Sequence, residues 1–144
     1  MSTFRLRLPI FAAALWWGSL TAIGFLVVPL LFANLPSPAI AGATAAKLFS
    51  AQTWVTLGCG VLLLMLSRGR FSDEPVPWGA PVLPFLLAGM LLALLGEFAV
   101  APRIVARENL RLWHGVGSGM YLLQWLCSGA TLWRVYPPRA PSAL

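Results

Sequence analysis

The chain has 144 residues, a net charge of +6, 59% hydrophobic residues and only 10% charged ones, with mean hydropathy +0.81. Soluble domains carry about 25% charged residues, so this composition cannot furnish a water-facing surface and excludes an ordinary soluble globule. The basic residues sit singly or in pairs at the ends of apolar runs, which excludes the basic stripe of a nucleic-acid binder and suits a protein oriented in a bilayer with anionic headgroups.

A membrane helix needs ~20 apolar residues to cross ~30 Å of hydrocarbon. The first apolar run covers 8–32 and ends at Asn34, Pro36 and Pro38. It follows Arg5 and Arg7 but is too long for the apolar core of a signal peptide, which is about 7–15 residues. The second run is expected over 45–66; its Ala-rich, Lys47-bearing approach (39–47) is expected at the membrane rim. A proline-punctuated loop, 67–81, leads to the third run, 82–101, then a charged connector and the fourth run, 112–136. The tail 137–144 is expected to be disordered. The predicted fold is all-α: one polytopic domain of four transmembrane helices in an antiparallel bundle.

Four crossings put both termini and the middle loop on one side, with Arg5, Arg7, Arg68, Arg70, Arg134 and Arg139. The other side carries Lys47, Arg103, Arg107 and Arg111. The positive-inside rule then predicts cytoplasmic termini in a bacterial inner membrane.

In lipid, helices associate through small residues. Gly18 with Ala22, Gly89 with Ala93, Gly115 with Gly119, and Gly58 with Gly60 are candidate seams, and Gly24 and Gly96, just upstream of the two prolines considered next, are further helix-packing candidates. The first run ends in "FLVVP" (Phe25–Pro29) and the third in "FAVAP" (Phe98–Pro102). This echo suggests two tandem helical hairpins, a parallel repeat. Pro29 and Pro102 each remove a backbone donor and are expected to break their helices at the membrane face away from the termini.

At that face four polar residues come close in level: Glu97, Arg103, Lys47 and His114. Hydrocarbon penalises a lone charge by about 2.5–3.5 kcal/mol at the bilayer centre, so Glu97 must pair, protonate or reach water. Two readings follow: a cluster that binds an ion or small molecule, or a structural clasp between helices. One His and one Glu are too few for a closed zinc site, which takes four ligands. Bis-His haem needs a second histidine in the chain or from a partner. No metal or cofactor is therefore predicted. Cys59 and Cys127 lie inside apolar runs with no CxxC pair and read as small apolar residues. No nucleophile triad or phosphate loop is present, so an enzyme is the third choice. The expected partners are the bilayer, a second copy of the chain, and a small ion or molecule.

The stretches "LWWGSLTAIGFLVVPLLFANL" (Leu15–Leu35), "AGATAAKLF" (Ala41–Phe49), "GEFAVAPRI" (Gly96–Ile104) and "LWHGVGSGMYLLQ" (Leu112–Gln124) together resemble the transmembrane-protein-205-like family. The resemblance spans all four runs and implies a four-helix inner-membrane protein whose biochemical activity is not established. The copper-resistance D proteins and the haem-pathway J-type oxidase are similar in placing a histidine near such a helix. This chain departs from them, with no histidine in its first run and one in total.

Overall fold

A computed structural model describes residues 3–68 and 76–136, with side chains from Arg7 onward. The expected tail and most of the middle loop lie outside the described residues. Helix α1 (Thr3–Ala22) runs into a π-helical turn, π1 (Ile23–Val27), and α2 (Val28–Asn34), which together form the first rod. Helix α3 (Pro38–Ser67) is the second rod. Helix α4 (Gly79–Leu95), the turn π2 (Gly96–Val100) and α5 (Ala101–Val105) form the third, and α6 (Leu110–Val135) the fourth.

Local chemistry sets the boundaries. The Ser37 side chain accepts from the Ile40 amide to open α3, and Asn109 accepts from the Leu112 amide to open α6, the N-cap geometry that satisfies an orphan donor. Pro38 stands at the first position of α3, where a missing N–H costs nothing. Before α6 the chain reverses sharply, with Arg107 and Asn109 at positive φ of 59° and 34°.

Three rods are long and apolar enough to cross a membrane: Arg7–Asn34, Pro38–Ser67 and Gly79–Val105. Helix α6 is less apolar in sequence, yet its 26 residues reach about 39 Å at 1.5 Å per residue. Its polar Gln124, Ser128 and Thr131 are buried, while Leu112, Val116, Leu122, Leu123, Leu126 and Trp133 face outward. The polarity is turned inward and much of the outer surface is lipid-like, so α6 crosses with the others. With 30 residues, α3 is about 45 Å long, more than ~30 Å of hydrocarbon requires.

The rods pack as a square. Helix α1 lies against α3 and α6, α4 lies against the same two, and α1 and α4 occupy opposite corners. The echo between the hairpins extends through this square. At an offset of 73 positions, buried Pro9, Ala13, Trp16 and Leu20 correspond to buried Val82, Leu86, Gly89 and Ala93. The same offset maps π1 onto π2 and Pro29 onto Pro102, and in both turns the residue before the proline donates its N–H five residues back, Val28 to Ile23 and Ala101 to Gly96. The second rods correspond at an offset of 72: cap Ser37 to Asn109, and buried Gln52, Thr56, Cys59 and Leu63 to Gln124, Ser128, Thr131 and Val135.

Equivalent residues meet between opposite corners. The Trp16 ring occupies the space beside Gly89, where a Cβ would come within 2.6 Å of it. The Phe49 and Tyr121 rings, also equivalent, sit edge to face with centroids 5.2 Å apart. An approximate two-fold axis along the bundle therefore relates the hairpins, the arrangement of a parallel repeat.

The interior is unusually polar at mid-height. Thr56 Oγ1 accepts from Trp16 Nε1 at 3.1 Å and from Gln124 Nε2 at 3.0 Å, joining three rods at one oxygen. Gln52 Nε2 donates to Ser19 Oγ at 2.9 Å, and Trp125 Nε1 donates to Thr21 Oγ1 at 2.8 Å. Ser19 spends its own proton on the Trp16 carbonyl, which fixes the amide orientation of Gln52. Its Oε1 is left buried and without a partner.

Candidate functional site

The two π turns form where proline and glycine act together. A proline ring in a helix clashes with the carbonyl four residues back. Widening the turn relieves that contact, and Gly24 and Gly96 lie inside the widened segments. Pro9 and Pro84 stand near helix starts with no such turn. Single π turns inside helices are frequent at functional sites.

Turn π2 presents Glu97, half-buried, toward α3. Ser50 Oγ lies 2.8 Å from Glu97 Oε1 and 3.0 Å from Oε2, so one hydroxyl proton is shared between both carboxylate oxygens. A carboxylate offers about four lone-pair sites, so most of its accepting capacity remains unused. A Cβ at Gly96 would meet nothing within 4 Å; the turn is open beside the carboxylate.

The four-residue cluster expected from sequence is not assembled. Among the described residues Glu97 has no ion pair with Lys47, Arg103 or His114 within 4.0 Å. Lys47 is exposed, three residues ahead of Ser50 on α3. The Arg103 guanidinium lies 4.4 Å from the centroid of the Trp113 ring, a cation–π contact. His114 is exposed, and its Nδ1 is 3.0 Å from the Leu110 carbonyl of its own helix. Nearness in level along the bundle did not translate into contact: Arg103 is taken by Trp113, His114 by its own helix, and Lys47 points outward. The partner of Glu97, Ser50, was missed; a serine in an apolar helix carries no signal of its own in a single sequence.

The glycines also divide differently from expectation. A Cβ at Gly18, Gly58, Gly96, Gly115 or Gly119 would meet nothing within 4 Å, so these positions are not seams inside this bundle. The close approaches are at Gly24 under Tyr121, Gly60 under Met90, Gly89 under Trp16 and Gly129 under Trp17. Large side chains on neighbouring rods fill these four notches, whereas Gly79 stands against the Ser67 backbone carbonyl where the middle loop joins α4.

Tyr121 treats π1 very differently from the way π2 is left. Its ring covers Gly24, and its hydroxyl donates to the Leu20 carbonyl at 2.8 Å. Leu20 is the residue whose carbonyl would take the Gly24 amide in a regular α-helix. At the offset of 73, Gly24 corresponds to Glu97. One π turn is closed by an aromatic plug; the other carries a carboxylate.

A groove of about 560 Å³ lies at the same end of the bundle, lined by Asn109, Arg111, Leu112, Gly115 and Val116. It does not include Glu97. Among the described residues no group of three His, Cys, Asp or Glu side chains converges.

Four packed rods with apolar outer faces, inward polar groups and one intramembrane carboxylate define a multi-pass helical membrane protein. The profile of a family described as "Domain of unknown function (DUF4149)" matches residues 11–112, well over half of the chain. The chain belongs to that family. No curated protein and no solved structure matches it.

Proposed function

We propose that this protein binds a proton or a small cation at Glu97 and serves as a small transport or permeation module of the inner membrane. The observation that carries this reading is the state of Glu97. It is the one acidic side chain within the spanning rods, since Asp73 and Glu74 lie in the middle loop and Glu108 in the connector. Among the described residues a single hydroxyl partners it, with no cation beside it. An ionisable group in a membrane without a counter-charge is by default a functional site. Lys47, Arg103 and His114 then act as the basic rim of the mouth, setting the local potential without touching the carboxylate. The bundle is thin for a pathway, so the conducting unit is a homo-oligomer. Both termini face the cytoplasm. The likeness to the transmembrane-protein-205-like family belongs to the same reading.

The alternative is a non-transporting scaffold, favoured by one feature: the Ser50–Glu97 hydrogen bonds tie α3 to the third rod. Reconstitution into vesicles separates the two. Proton or alkali-cation flux is expected for the wild type and at least tenfold less for Glu97→Gln, with helicity and thermal stability unchanged. Absent flux in both, together with a lowered Tm in Glu97→Gln, assigns the pair to the scaffold.

A further inference from the structure

We infer that the chain carries its ligand position twice, and that Tyr121 closes one copy while Glu97 keeps the other open. The inference rests on the reading of Glu97 as a ligand-binding carboxylate and extends it to stoichiometry and origin of the site.

The two-fold correspondence places three pairs at the turns. Gly24 matches Glu97, Tyr121 matches Phe49, and Leu122 matches Ser50. In π1 the glycine admits the Tyr121 ring, and the phenol hydroxyl bonds a backbone carbonyl of the same rod. In π2 every one of these choices is reversed. Phe49 has no hydroxyl to offer, Glu97 occupies the place the ring would need, and Ser50 supplies a donor to the carboxylate. The residues on which the hairpins agree are structural: the caps, the prolines, the π turns and the buried Gln52/Gln124 and Thr56/Ser128 pairs. Among the many positions on which they differ, three matched pairs lie together at the turns themselves. A tyrosine hydroxyl that bonds the backbone at a widened turn occupies space at π1; at π2 the corresponding space falls to the ligand. The occupant is a proton or a compact cation, one per chain, because only π2 offers an anionic acceptor.

A membrane-soluble carbodiimide tests this on the intact protein in lipid. A protonated carboxyl passes its proton to a carbodiimide nitrogen while its oxygen adds to the central carbon; the O-acylisourea rearranges to an N-acylurea that retains the whole reagent, so nothing is oxidised and nothing leaves. Mass spectrometry then counts adducts and locates them. One adduct, at Glu97, is expected in the wild type and none in Glu97→Gln. Transplanting the open turn with Gly24→Glu/Tyr121→Ala/Leu122→Ser is expected to give a second adduct, at position 24. The converse change, Phe49→Tyr/Glu97→Gly, is expected to plug π2, abolish labelling and raise Tm by about 2–4 °C.

A folded triple variant that still carries one adduct, at Glu97, overturns the duplicated site and leaves the reading of Glu97 intact. A wild type that takes no adduct at Glu97 overturns that reading first. Should the triple variant not fold, the converse variant decides: an unchanged or lowered Tm overturns the inference.

Discussion

Thr56 shows how much of this bundle hangs on single polar atoms. Its hydroxyl oxygen receives both the Trp16 indole and the Gln124 amide, so removal leaves two buried donors unpaired. Side-chain hydrogen bonds in membranes are worth roughly 0.6 kcal/mol on average and up to ~1.7, so Thr56→Val is expected to cost about 1–3 kcal/mol. Thr56→Ser is expected to be close to neutral. Reversible unfolding in mixed micelles measures both. A Val variant as stable as wild type would mean that Trp16 and Gln124 re-pair elsewhere. At this scale little was legible in the sequence. Thr56, Gln52 and Gln124 read as scattered polar residues in apolar runs until the offset of 72 aligns Gln52 with Gln124 and Thr56 with Ser128. The same alignment would have drawn attention to Tyr121 opposite Phe49. The basic residues misled for a related reason. Glu97, Arg103, Lys47 and His114 lie toward one end of the bundle, but nearness along the bundle says nothing about direction around a rod that turns about 100° per residue.

At the scale of elements, the sequence was far more informative. The expected runs 8–32, 45–66 and 82–101 fall inside the first three rods and 112–136 ends one residue past α6, because about 20 apolar residues leave few alternatives in lipid. The two FxxxP motifs marked the turns π1 and π2, although the widening itself was not foreseen. The expectation of a break at Pro29 and Pro102 is corrected: each rod continues through its proline, because a π turn absorbs the missing donor and the ring clash that would otherwise interrupt it. This makes a specific prediction. Pro102→Ala restores the N–H, so π2 is expected to relax to a regular α-helix, which shifts the rod upstream of it by one residue in phase. Glu97 then leaves Ser50, and carbodiimide labelling of Glu97 is expected to fall at least fivefold while Tm holds or rises. Retained labelling at full stability would show that glycine alone maintains the turn.

For the whole molecule, the approximate two-fold along the bundle means that both hairpins insert the same way round. The side with both termini and the middle loop holds six of the ten basic residues, so reporter fusions are expected to distinguish two faces. A fluorescent protein that matures only in the cytoplasm should be bright after residue 70 and after residue 136, and dark when inserted after Asn34 or Arg107. The reverse pattern would invert the molecule and place the Glu97 end in the cytoplasm. Three rods are strongly apolar by sequence and α6 is more weakly so, since its glycines and inward polar groups dilute an outer face that is largely apolar. Composition by itself thus understates a helix that spends its polarity on the interior.

The seating of Trp16 against Gly89 has a mechanical consequence. A bulky ring lodged in a notch one residue wide sets the height of the first rod against the third, since a slip of one helical turn would drive it into Leu86 or Ala93. Piston-like sliding of these two rods is blocked, whereas tilting about the ring as a pivot is not. On the proposed transport reading, a cycle that exposes Glu97 alternately to the two sides of the membrane is expected to proceed by rocking about this contact.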